Sequence, residues 1–207
     1  ASAEAALAPQ SAQPAAATQA TAIELDPFQT SITAGETQVY RVWTLDEDGQ
    51  RIDEVTDGAV FEFVTATGTG SCTANTCTSE QMGIFPIKVV AAGLTTIGLL
   101  DVDAGPEVGL EFRAERVNAQ IFDERYFEPV LVDRFGNTAR RPDSPELHFE
   151  YDQDALDCTT EMTCRARTPG TYRIDVHLIA NPAWADSVLF VVTDRDLYGT
   201  LSLAPIP

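Results

Sequence analysis

Val132-Asp133-Arg134-Phe135-Gly136-Asn137 repeats the outline of Leu45-Asp46-Glu47-Asp48-Gly49-Gln50 at an offset of 87 residues. Each stretch reads as an apolar strand end running into a turn. The aspartate can accept hydrogen bonds from the backbone that follows it, and the glycine supplies a positive φ. The offset of 87 also joins Ile23-Glu24-Leu25 to Leu110-Glu111-Phe112, Gly83-Ile84-Phe85 to Gly170-Thr171-Tyr172, and Cys77 to Cys164. Cys72 maps onto Cys158 at 86. A constant offset through strands, turns and cysteines means two copies of one domain.

Between the turn signals the pattern alternates over short runs, which predicts β-strands. In the first copy these cover 22–25, 29–33, 36–45, 60–66, 73–79, 83–91 and 95–102. In the second they cover 109–114, 119–121, 126–133, 146–151, 162–166, 170–179 and 186–193. No segment shows helical periodicity. About seven short strands in about 90 residues predict a β-sandwich. The expected fold is all-β, two tandem Ig-like sandwiches with extended tails. Residues 1–22 are an Ala/Pro/Gln-rich tail, too poor in apolar surface to order in isolation. Residues 23–107 form the first domain and 108–196 the second. Residues 197–207 are a tail whose Leu197, Tyr198, Leu201 and Leu203 predict one further strand.

Four cysteines fall as Cys72-x4-Cys77 and Cys158-x5-Cys164. Neither spacing is that of a CxxC redox or zinc motif. Each pair precedes a Gly-x-aromatic strand, so two local disulfides are expected, each clamping a turn and contributing about 2 kcal/mol. Disulfides imply an oxidising compartment, hence export. The start Ala1-Ser2-Ala3-Glu4 would suit a mature end left by signal cleavage.

Together, Ala34-Gly35-Glu36, Tyr40-Arg41-Val42, the Asp46–Gln50 and Asp133–Asn137 turns, and the Gly83 and Gly170 strands resemble bacterial Ig-like (Big) domains over 23–196. Such modules build the stalks of invasin- and intimin-like surface proteins. Asp133-Arg134-Phe135-Gly136-Asn137 is the sharpest match. Copy one has Gln50 in place of the asparagine, and copy two lacks the Ala-Gly-Glu turn. The resemblance implies a fold and a surface location, and carries no catalytic residues.

The formal charge is -19, with 14 acids against 3 bases over 23–109 and 17 against 10 over 110–196. That charge argues against nucleic acid or anionic lipid as partner. No apolar run reaches the roughly 18 residues of a membrane span. Catalytic patterns are missing. There is no nucleophile elbow, and the two histidines, His148 and His177, lie on separate predicted strands. The chain therefore reads as no enzyme and without a required cofactor. Calcium is the one cation its loops suit, through Asp101, Asp103 and Glu107 at the junction, or Asp152, Asp154 and Asp157. Trp43 is expected in the core. Trp184, inside the inserted Asn181-Pro182-Ala183-Trp184, is expected at the surface as a partner contact.

These features predict a secreted or cell-surface structural subunit. It would associate with copies of itself through its tails, by strand addition or groove packing, into a filament or surface layer. The alternative is an adhesin or carbohydrate-binding stalk module, contacting surface glycans or other surface proteins through Trp184.

Overall fold

The computed structural model describes residues 19–64 and 70–194. Leu197, Tyr198, Leu201 and Leu203, with the strand expected there, lie outside the described residues, as do residues 1–18. Thr21 and Ala22, placed in the N-terminal tail by sequence, are held. Thr21 N–H donates to the Leu45 carbonyl at 2.8 Å, and Ala22 pairs with Leu45.

The chain is all-β. The first copy contains β1 (Ala22–Asp26), β2 (Gln29–Thr33), β3 (Thr37–Val39), β4 (Arg41–Leu45), β5 (Arg51–Glu54), β6 (Val60–Phe63), β7 (Gly70–Thr73), β8 (Thr76–Ser79), β9 (Gly83–Ala91) and β10 (Leu94–Asp103). The second contains β11 (Gly109–Phe112), β12 (Arg116–Gln120), β13 (Arg125–Tyr126), β14 (Pro129–Val132), β15 (Thr138–Arg140), β16 (Leu147–Glu150), β17 (Leu156–Cys158), β18 (Thr163–Ala166), β19 (Gly170–Leu178) and β20 (Asn181–Thr193). Apart from two 3-10 turns, Thr56–Gly58 and Ser144–Glu146, the described residues hold no helix.

In the first copy the sheets run β1-β4-β5, β2-β10-β9-β6 and β3-β8-β7. The second copy has the same orders with ten added to every label. In both, the long sheet contains a parallel pair, β2 with β10 and β12 with β20, formed by its first and last strands in chain order. Alternation places Ile87, Val89 and Ala91 of β9 inward, with Leu100 and Val102 of the neighbouring β10 and Leu25 and Val42 of the β1-β4-β5 sheet. The second core uses Leu110, Leu131, Ile174, Val176, Val188 and Phe190 in the same roles.

Several strand expectations are corrected. The run 36–45 is broken at Tyr40, because β3 pairs with β8 in one sheet while β4 pairs with β1 in another. The run 73–79 is half of a hairpin that turns at Ala74, whose φ is +51°. Strands β5, β15 and β17 are not read from the sequence because each is only three or four residues long. Each sits at the outer edge of a three-stranded sheet; β5 and β15 are largely polar and hold no buried residue, whereas β17 buries Leu156 in the second core. Trp43 lies on the outer face of β4, not in the core: Val42 and Thr44 point inward. The Arg51 guanidinium covers its ring at 5.0 Å and pairs with Glu24 at 2.7 Å and Asp26 at 3.0 Å.

Both disulfides form as expected. Cys72 joins Cys77 across β7 and β8, and Cys158 joins Cys164 across β17 and β18, each pair directly opposite in register.

Tyr40 and Phe127 occupy equivalent, fully buried core positions, and each backbone N–H bonds the facing hairpin at 2.9 Å. The Tyr40 hydroxyl has no hydrogen-bond partner among the described residues. Burial pushes its pKa up to about 12. A buried hydroxyl without a partner costs roughly 1–3 kcal/mol. Tyr40→Phe, which copies the second domain, is therefore expected to raise stability by about 1 kcal/mol in chemical denaturation. The folded pKa is above the unfolded one. The wild type should thus lose stability as pH rises from about 10 through about 12, and the variant should not lose that share.

Candidate functional site: the junction between the copies

The repeated turn is a local device in the first copy and a bridge in the second. In copy one, Asp46 Oδ1 accepts from the N–H of Asp48 at 3.0 Å and of Gln50 at 2.8 Å. The tip, Glu47 to Gln50, is exposed. In copy two the same bonds form, from Phe135 N–H at 2.8 Å and Asn137 N–H at 2.9 Å to Asp133 Oδ1. Here, however, the tip reaches into the first copy.

Asp133 is buried, and its second oxygen ties down the linker. Oδ2 accepts from the backbone N–H of Gly105 at 2.8 Å and from Asn137 Nδ2 at 2.9 Å. Burial alone would raise this carboxyl. The hydrogen bonds from the Asn137 side chain and from the backbone of Gly105, Asn137 and Phe135 outweigh it and hold the carboxyl below the usual range.

Asn137 completes the bridge. Its Oδ1 accepts from Met82 N–H at 3.0 Å, and its Nδ2 donates to the Glu80 carbonyl at 2.7 Å. The amide thus uses both ends on the backbone of the other copy. Beside it, Phe135 packs against the first core under the guanidinium of Arg134, 4.5 Å above its ring. The seat for this ring is Gly35, at φ +83°. A Cβ there would stand 2.7 Å from Arg134 Nη2 and from Phe135 Cζ. Arg140 holds Glu107 of the linker and Glu146 at 2.7 Å each.

Sequence reasoning identified the turn and missed what it does. The available signal was the contrast at its tip: Glu47-Asp48 in one copy, Arg134-Phe135 in the other. A phenyl at a turn tip is costly to expose, so it points to a covering surface.

The other candidates are placed as follows. Asp101 and Asp103 lie on the outer face of β10, while Glu107 is engaged by Arg140. Asp152 caps its own turn through Asp154 N–H at 3.0 Å, and Asp157 pairs with Arg165 at 2.7 Å. Among the described residues no three acidic, histidine or cysteine side chains converge as a metal site. Trp184 is half-buried and packs against the second core; it lies in β20, in a bulge opposite His177 and Leu178. That corrects its expected surface position: the insertion folds back over the hairpin's own core edge. His148 and His177, which lie on separate predicted strands, face each other across β16 and β19 with ring centroids 4.8 Å apart.

No family model and no curated protein matches the sequence. Among solved structures, the chain is similar to domains 5-6 of the S-layer protein SbsC, at 13% identity and TM-score 0.34, over 85% of this chain and 99% of that one. It is also similar to InvD of Yersinia pseudotuberculosis, at 15% identity and TM-score 0.41, over 86% of this chain and 60% of that one. Invasin, a bacterial integrin-binding protein, aligns at 15% identity and TM-score 0.35, over 83% of this chain and 40% of invasin. The chain spans less than two thirds of these last two.

Proposed function

We propose that this chain is an exported structural subunit that associates with copies of itself into an extracellular filament or surface layer. The observation that carries this reading is the junction. Two sandwiches joined by a free linker would swivel. Here a buried carboxylate, an amide and a phenyl ring hold one copy on the other, which is what a load-bearing spacer requires and what a flexible tether avoids. Two disulfides, each closing a hairpin, suit an oxidising exterior. Self-association would proceed by strand addition or groove packing between subunits. Trp184, packed on its own core, supports a structural role over glycan binding.

Sedimentation velocity of the full oxidised chain is the test, with electron microscopy of the native surface. Concentration-dependent polymers are expected. A monomer at every concentration, together with a surface bare of polymer, would end this reading in favour of an adhesive stalk module.

A further inference from the structure

The seat that receives Phe135 exists twice. In the first copy, Ala34 N–H donates to the Asp103 carbonyl at 2.8 Å and Gly35 N–H to the Ser79 carbonyl at 2.8 Å. In the second, Ile121 N–H donates to the Thr193 carbonyl at 3.0 Å and Phe122 N–H to the Ala166 carbonyl at 3.1 Å. Gly35 and Phe122 are thus equivalent, and both have positive φ, 83° and 66°. The first seat is covered by the Arg134-Phe135 tip. The second lies at the end of copy two away from the junction, where Phe122 is 59% exposed. A phenylalanine in the left-handed region is strained by about 1–3 kcal/mol, and exposing its ring adds to that cost. Glycine would relieve both, so folding alone does not account for this side chain.

The matching tip is at the opposite end of the tandem, Asp46-Glu47-Asp48-Gly49, with the same aspartate-capped turn as Asp133. Compared position by position, bulk and charge have changed sides. Inside the chain the seat offers Gly35 and Glu80, and the tip offers Arg134 and Phe135. At the two ends the seat offers Phe122 and Arg167, and the tip offers Glu47 and Asp48. The phenyl has moved from tip to seat, so the facing tip is small. In sequence the cation has moved from tip to seat, and the anion from seat to tip. Inside the chain Arg134 lies over the Phe135 ring and forms no ion pair with Glu80, whose backbone carbonyl takes the Asn137 amide. At the two ends the exchanged charges place Arg167 on the seat and Glu47 on the tip as opposite charges, and crossing the two sets would put Arg134 against Arg167 or Glu47 against Glu80.

We propose that the Phe122–Arg167 end of the second copy docks the Asp46–Gly49 turn of a second copy of this chain, end to end. This deepens the self-association reading and rests on it. Seat and tip lie at opposite ends, so the contact is heterologous and does not close on itself, and it propagates a filament. One element is not repeated. Pro169 stands where Met82 offers its N–H, so the half of the Asn137 bridge in which the amide oxygen accepts from that N–H has no counterpart. The end contact therefore rests on a ring and on exposed charges, which makes it weaker than the internal junction and sensitive to salt.

The test is sedimentation velocity of the full oxidised chain at low and high salt. Wild type should form end-to-end oligomers that weaken as salt rises. Phe122→Gly, which gives the second seat the residue of the first, and Arg167→Glu should each weaken association at least about tenfold. Arg167→Glu combined with Glu47→Arg should restore it, because the pair is reversed rather than removed. If wild type assembles and all three variants assemble equally, the docking seat is wrong while self-association through other surfaces stands. If wild type stays monomeric throughout, the docking seat falls, and a native surface bare of polymer as well would take the self-association reading with it.

Discussion

Asp133→Ala is expected to be the most damaging single change at the junction. The substitution leaves the N–H groups of Gly105, Phe135 and Asn137 and one Asn137 amide proton without their acceptor. A buried donor deprived of its partner costs roughly 1–3 kcal/mol, so a loss of about 3 kcal/mol or more is expected in the second copy. The linker and the first copy should come loose with it. Denaturation should change from one coupled transition to two, and small-angle scattering should show a broader distribution of shapes. Acid should act in the same direction on the wild type. The folded carboxyl lies below its ordinary value of 3.8, so its contribution is present above that value and is lost as pH falls through the folded pKa. A single coupled transition in the variant would show that the bridge contributes little.

Gly35→Phe attacks the apolar half of the same junction. The second copy carries phenylalanine at the equivalent Phe122 with a positive φ, so the first sandwich should still fold. The ring of Phe135 cannot remain, because even a Cβ at position 35 would come within 2.7 Å of it. Removing that ring from its site forfeits about 2 kcal/mol of burial, which should appear as lost coupling between the two copies. Phe135 should become accessible, as read by NMR shifts of its ring protons. Unchanged shifts in the variant would mean the ring is seated elsewhere.

Tandem repetition, the all-β class and the cysteine pairing were legible in the sequence because each depends on local spacing. Alternation has a period of two whatever lies across the core, an Asp-x-x-Gly turn closes on its own backbone, and cysteines a few residues apart meet across one hairpin. What depended on distant partners was not legible. Trp43 belongs to an alternating run, but which face of β4 turns inward is set by register with β1, and Val42 and Thr44 took the inner face. His148 and His177 are opposite each other only through the pairing of β16 with β19. Asp46 and Asp133 are the same turn in sequence. Only the tertiary structure, by bringing Gly35, Glu80 and Met82 within reach of one of them, decided that Asp133-Arg134-Phe135-Gly136-Asn137 holds two domains together while its twin faces solvent.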